Sequence, residues 1–190
     1  MSAVAVQTFL TPEEYLAFER KAEFKSEYFN GEIVEMPGAS HAHNLITVNA
    51  INGIYNQVAE RGCRVYGSDM RVGTSPVTSY LYPDVTVVCD EPRFADDVFD
   101  TLINPLVLVE VLSPSTEARD RGEKFAYCRQ LESVQEYVLI SQERVGVEHY
   151  LRQGEKWVFE ALRELTDVLG VVSIDCELPL RDIYRFVEFA

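Results

Sequence analysis

The sequence predicts one α/β domain spanning residues 1–190, and three features carry that expectation. Apolar residues recur at helical spacing between His41 and Glu60. Short Val-rich segments bounded by Pro, Gly, Asn or Ser follow, as strands do. One of them, NPLVLVEVLS, leads through a helical stretch into a second mostly apolar segment, VQEYVLIS, the pattern of a right-handed strand–helix–strand crossover. No repeat, linker or low-complexity stretch divides the chain.

In chain order, a first helix is expected to start with Thr11 as N-cap and Pro12 at its first position, with Glu13 and Glu14 facing the positive end of the helix dipole, and to run to about Lys25. In YFNGEIVEM, Asn30-Gly31 predicts a two-residue hairpin turn between short alternating segments. The next helix, His41 to Glu60, carries Leu45, Val48, Ile51, Ile54, Tyr55 and Val58 as its apolar stripe, and Gly62 stands where a C-terminal cap would be. CRVYGSDMRV, YPDVTVVCD and NPLVLVEVLS read as strands, the third apolar enough to be central. A helix from about Ser115 to Leu131, with Ser115 or Thr116 as N-cap, precedes VQEYVLIS. VGVEHYLR and EKWVFEAL, separated by Gln153-Gly154, are two further strands, and the segment from Asp167 onward alternates only weakly.

With 190 residues, of which 47% are hydrophobic, the chain can bury a core without help from a metal or a disulfide. The balance of 17 basic against 31 acidic residues, a formal charge of −14, opposes long-range attraction to a polyanion but does not say where the basic residues lie. Cys63, Cys89, Cys128 and Cys176 form no Cys-x-x-Cys pair and read as reduced thiols. The amino-terminal MSAVAVQTFLTPEEY lacks a basic start and an apolar stretch, and no run of 18 apolar residues offers a membrane span, so the expected setting is cytoplasmic.

Asp84 follows Pro83 at the start of one expected strand, and Glu110 lies near the end of the next, so pairing of those strands would bring two carboxylates to one sheet edge. Burying Glu110 inside LVLVEVL is costly unless something compensates it. A buried Arg or Lys, backbone N–H groups, or a cation shared with Asp84 would each do so. Hard cations such as Mg²⁺ prefer oxygen ligands and commonly use only one or two carboxylates. Helical spacing sets Asp120, Lys124 and Tyr127 on one stripe beside the apolar face of Ala118, Phe125 and Cys128. Lys124 can then lean towards the sheet and orient water or stabilise charge on a phosphate, or else form an exposed i,i+4 pair with Asp120. His41 and His43 diverge on a helix and read as its first turn. Ser113 and Ser115 lack a nucleophile elbow, His149 has no visible partner, and Asp69 and Arg71 read as a surface ion pair.

The ordered set of Pro83-Asp84 and a strand-borne Glu110 resembles the PD-(D/E)xK nuclease superfamily. YFNGEIVEM, YPDVTVV and VEVLSPST, followed by Asp120 and Lys124, resemble more closely its Uma-type restriction endonuclease family, over roughly Pro12 to Tyr150. That resemblance implies a restriction-endonuclease-like mixed central sheet flanked by helices, and hydrolysis of phosphodiester bonds in DNA with Mg²⁺ or Mn²⁺. It implies a homodimer, with no role for a membrane. Asp84 and Glu110 match the metal-binding acids, the backbone carbonyl of Val111 is a further ligand, and Glu27 matches an additional acidic residue from the first helix. Leu112 stands where the superfamily lysine belongs, and the Uma-type pattern points to Lys124 on the following helix instead. Leu112 and the acidic charge also admit a catalytically silent binding or regulatory protein, and a hydrolase of small phosphorylated molecules would show a closed pocket.

Overall fold

Thr11 starts the first helix as expected. In the computed structural model, which describes residues 9–74 and 79–189, helix α1 (Pro12–Glu19) is closed by a capping box in which the Glu14 N–H donates to Thr11 Oγ1 at 3.2 Å and the Thr11 N–H to Glu14 Oε2 at 2.8 Å. Residues 1–8, which carry most of the amino-terminal reading, lie outside the described residues. The helix stops short of Lys25 because Glu19 turns inward, where its carboxylate accepts the Ser26 N–H at 3.0 Å and the Ser26 hydroxyl at 2.6 Å. Those bonds fix the start of strand β1 (Ser26–Phe29), which pairs with β2 (Glu32–Glu35) across Asn30 and Gly31. Both turn residues have positive φ, 46° and 103°, the conformation for which Asn-Gly is suited.

Helix α2 (His41–Val58), N-capped by Ser40, ends through a short 3₁₀ turn at Gly62, whose φ of 84° makes it the left-handed cap. Its buried stripe is Ile46, Ala50, Ile54 and Val58, whereas Val48 and Tyr55, assigned inward on sequence, are more than half exposed. Apolar residues occur on more than one side of this helix, so periodicity marked the helix without fixing the side that packs.

CRVYGSDMRV is two strands rather than one. β3 (Arg64–Gly67) and β4 (Arg71–Gly73) are separated by a turn in which the Met70 N–H donates to the Gly67 carbonyl at 3.1 Å, and they join different sheets. β4 lies with β5 (Ser79–Leu81) and β7 (Thr101–Leu102) in a five-stranded sheet ordered β2-β1-β5-β4-β7. The larger sheet comprises β3, β6 (Val85–Val88), β8 (Val107–Leu112), β9 (Glu136–Ser141), β10 (Val147–Gln153) and β11 (Lys156–Leu162), in the order β11-β10-β9-β8-β6-β3. Only β8 and β9 run parallel in it, and the helical segment between them makes the expected crossover. The sheet is therefore mixed and helix-flanked, as the resemblance implied.

All six residues of β8 are buried, so both faces of this strand are covered. Val107, Val109 and Val111 pack with Ile46, Ala50, Ile54 and Val58 of α2, while Leu108 and Leu112 pack on the opposite side with Phe29, Cys128 and Leu131. Full burial of a side chain such as Ile54 contributes about 1.5–3 kcal/mol. Alternation along the strand places Glu110 with Leu108 and Leu112, on the side of the crossover helix.

The segment after Asp167 forms β12 (Val168–Val171), β13 (Cys176–Pro179) and α5 (Leu180–Ile183), which close the α2 side of the core. Tyr184, unassigned on sequence, is a peg: its hydroxyl accepts the Gly146 N–H at 3.0 Å and lies 3.0 Å and 2.9 Å from the Ser141 and Gly146 carbonyls. The cysteine expectation fails in part, because antiparallel pairing of β3 and β6 sets Cys63 opposite Cys89 and the two are joined in a disulfide. Cys128 and Cys176 are free and buried. No helix of the described residues is long and apolar enough to cross a membrane.

Candidate active site

Val85 of β6 pairs with Val109 of β8, so the next position outward sets Asp84 against Glu110 at the strand end, where alternation turns Glu110 away from the α2 core. The strand ladder ends there, because Pro83 and Asp84 lie ahead of β6. The Asp84 carboxylate continues it in place of a backbone carbonyl: Val111 N–H donates to Asp84 Oδ2 at 2.7 Å. This bond ties together two of the positions singled out on sequence, Asp84 and Val111.

The crossover helix supplies the cation. It runs as α3 (Glu117–Arg119), a π-helical turn over Asp120–Lys124, and α4 (Phe125–Cys128). Thr116 holds the N-cap position but makes no side-chain cap bond. Gly122, a poor helix former, sits within the π turn, and such turns recur where side chains must be re-aimed for function. Here Asp120, Lys124 and Cys128 point inward, and Lys124 Nζ lies 2.7 Å from Glu27 Oε1, 2.8 Å from Glu110 Oε1 and 3.9 Å from Asp120 Oδ1. The exposed Asp120–Lys124 pair is excluded, since both residues are buried.

Glu27 reaches this centre from β1, not from the first helix as the resemblance implied, because α1 ends at Glu19. Its Oε1 also accepts the Tyr82 N–H at 2.9 Å. Three carboxylates, Glu27, Glu110 and Asp120, thus surround one ammonium, and with Asp84 they line a cleft of about 380 Å³. Burial raises Glu110 well above the usual carboxylate range, opposed by Lys124 and reinforced by Asp120, Asp84 and Glu27. Burial likewise raises Asp120, with Lys124 again opposing. Burial works to discharge Lys124, but Glu110, Glu27 and Asp120 outweigh it and hold the amine protonated well above its ordinary range.

His43 is the residue that sequence reasoning set aside. Its Nε2 lies 3.3 Å from Asp84 Oδ2, because the first turn of α2, pinned by Ser40, points into the cleft. The helix-start signal in Ser40-His41-Ala42-His43 was visible, but not the strand end it would meet. Lys25 and Arg119 also line the cleft. Asp69 and Arg71 do not pair with each other: Asp69 meets Lys25 at 2.8 Å, and the buried Arg71 meets Asp100 at 2.8 Å and donates to the Thr101 and Tyr82 hydroxyls at 2.9 Å each. His149 does have a partner, the buried Glu136, remote in the sheet from the carboxylate cluster.

A divalent cation fits this donor set. Lys124 Nζ lies 2.8 Å from the buried Glu110 Oε1, and the carboxylates of Glu27, Asp84, Glu110 and Asp120 that line the cleft outnumber the ammonium, so hard oxygen donors remain for a second cation. No three or more His, Cys, Asp or Glu side chains among the described residues are grouped as a ready ion cage. A hard cation held by two carboxylates plus water and phosphate does not require one.

Mixed sheets flanked by helices, with Asp84 and Glu110 at a strand end and Lys124 on the crossover helix, make up the fold. A crystal structure described as that of "a putative nuclease belonging to DUF820" from Anabaena variabilis shares it, with a TM-score of 0.76 and 21% identity over 94% of this chain and 99% of that one. Residues 12–180 match the Uma2 family model, described as "Putative restriction endonuclease", and the chain belongs to that family. Two Synechocystis proteins are similar over nearly their whole lengths. Uncharacterized protein sll1609 is 38% identical over 90% of this chain and 93% of its own, and uncharacterized protein slr1290 is 34% identical over 95% and 94%.

Proposed function

We propose that the protein is a divalent-metal-dependent nuclease that hydrolyses phosphodiester bonds in DNA. The observation that carries this reading is the buried Lys124 ammonium set between Glu27 and Glu110, with Asp84 beside Glu110 on the neighbouring strand. Asp84 and Glu110, with the Val111 carbonyl, would hold Mg²⁺ or Mn²⁺. Such an ion, when bound, supplies Lewis-acid stabilisation of the phosphate charge and makes water a better nucleophile at neutral pH.

The chain's own groups do the rest. Lys124, kept protonated by its carboxylate neighbours, is a donor and not a base: it orients the attacking water and meets the charge that grows on the phosphate oxygens. Glu27 holds that water or the ion from the opposite side. Water oxygen attacks phosphorus and gives up its proton to solvent, the bond to the leaving sugar oxygen breaks, and that oxygen takes a proton from solvent in turn. The Val111 amide and His43 hold Asp84 in orientation. A homodimer would set two such sites against the two strands of a duplex.

The test is cleavage of supercoiled and single-stranded DNA by purified protein with Mg²⁺ or Mn²⁺, beside Asp84→Ala and Lys124→Ala made in the same way. Metal-dependent nicking lost in both variants is expected. Activity that survives Asp84→Ala overturns the assignment, and no cleavage together with no metal-induced thermal shift favours a catalytically silent binding protein.

A further inference from the structure

The carboxylate cleft is acidic, and the chain as a whole carries a formal charge of −14, so a polyanionic strand needs a local cationic path to reach it. One basic feature beside the cleft is not used by the chemistry above. β8 and β9 end together at Leu112 and Ser141, and β10 begins and β11 ends at that same edge, where Val147 pairs with Leu162. Arg144 lies in the turn from β9 to β10, and Arg163 lies just beyond β11. Both are exposed, and among the described residues neither forms a salt bridge. Most other arginines of the described chain are engaged: Arg121, for example, is neutralised by Glu117 and Glu148 at 2.8 Å and 3.0 Å.

The two arginines line one hollow of about 290 Å³. It abuts the carboxylate cleft at three places in the chain: Leu112, Arg121 and Ser141 line the hollow, while their neighbours Ser113, Asp120 and Gln142 line the cleft. Glu143 and Glu164, adjacent to the arginines in sequence, do not line it, and the one acidic residue that does, Glu148, is paired with Arg121 at 3.0 Å. Resting on the nuclease reading, we infer that Arg144 and Arg163 are a phosphate-backbone subsite, holding the nucleic-acid strand on one side of the bond to be cut. β10 and β11 stand two and three strands from β8, about 10–14 Å along the rim at the usual strand spacing. The subsite reads charge and spacing, not base sequence.

Salt-dependent binding tests this directly. Fluorescence anisotropy of a labelled DNA oligonucleotide is followed across NaCl concentrations with Ca²⁺ for wild type, Arg144→Ala, Arg163→Ala and the double variant. Lys156→Ala, at the opposite end of β11, controls for loss of charge alone. Each arginine variant is expected to flatten the plot of log Kd against log salt by about one unit of slope, and Lys156→Ala to leave it in place. In Mg²⁺, the loss should appear in KM more than in kcat, and Arg→Lys at either position should recover most of the slope. Wild type that cleaves DNA while the arginine variants keep its slope and KM overturns the subsite alone. Binding that depends on the arginines without any cleavage retains the subsite and overturns hydrolysis. A protein that neither binds nor cleaves overturns both.

Discussion

Replacing Lys124 with methionine keeps most of the side-chain volume and removes the one ammonium among Glu27, Glu110 and Asp120. At 2.7 and 2.8 Å, and with an effective dielectric constant of about 20, each of the two close contacts amounts to ~6 kcal/mol of gross attraction. Much of that offsets the cost of taking the ammonium out of water, so the net loss expected for breaking a buried ion pair is about 3–5 kcal/mol. For a chain of this size that corresponds to roughly 6–20 °C in Tm. The deficit should depend on pH with a definite sign. Burial raises Glu110 in the folded state, and it rises further without Lys124, so the folded protein binds the proton more tightly than the unfolded chain. Its contribution is fully present below the ordinary value of 4.5 and is lost as pH rises through the folded value. Urea denaturation of Lys124→Met and wild type, in EDTA at pH 7.5 and pH 5, should show a large deficit at the higher pH and a smaller one at the lower. Equal stability of the two proteins at pH 7.5, or a deficit that does not shrink on acidification, refutes the arrangement of one ammonium compensating several buried carboxylates.

Other expected outcomes follow from geometry outside the cleft. Tyr184→Phe removes a hydroxyl that bonds Gly146 and approaches Ser141, and should cost about 1–3 kcal/mol in chemical denaturation, with near-wild-type stability counting against the peg. Thiol titration at pH 8 should find no reactive cysteine in the native protein, since burial pushes Cys176 up to about 11 and raises Cys128 as well. Unfolding without reductant should then release two thiols, whereas four would show Cys63 and Cys89 reduced. Hydrogen bonds from Arg20 hold Asp100 and Asp96 below the usual carboxylate range. Their stabilisation is present above the ordinary value of 3.8 and disappears as pH falls through the folded values. Acid unfolding of Arg20→Met should therefore begin at a higher pH than that of wild type, and coincident curves would contradict the pairing.

Local chemistry made parts of this structure readable in advance. Thr11 with Glu14, Asn30-Gly31 and Gly62 each fix their own backbone, and each stands where the sequence placed it. The convergence of Asp84 and Glu110 needed one further step, the pairing of two consecutive apolar strands, and that too was legible. What failed depended on distant partners. The Cys63–Val72 stretch reads as one strand although Gly67-Ser68-Asp69 is a turn-forming run, and the turn there carries the chain from one sheet to the other. The resemblance implies a first-helix origin for Glu27, whereas the chain delivers it from β1, because Glu19 caps the start of that strand through Ser26. His43 has no neighbouring ligand in sequence, and its partner Asp84 comes from another element altogether. The inward aim of Lys124 was anticipated, but the π turn that delivers it was signalled only by Gly122.

Whether Asp84 and Glu110 share a divalent cation is decided most directly by an anomalous difference map from crystals grown with Mn²⁺. The expected result is a manganese peak within about 2.0–2.6 Å of carboxylate oxygens of both residues, with Lys124 moved off Glu110 or retained beside Glu27. Manganese bound elsewhere, or none bound while Lys124 still lies against Glu110, would contradict the metal-dependent nuclease site.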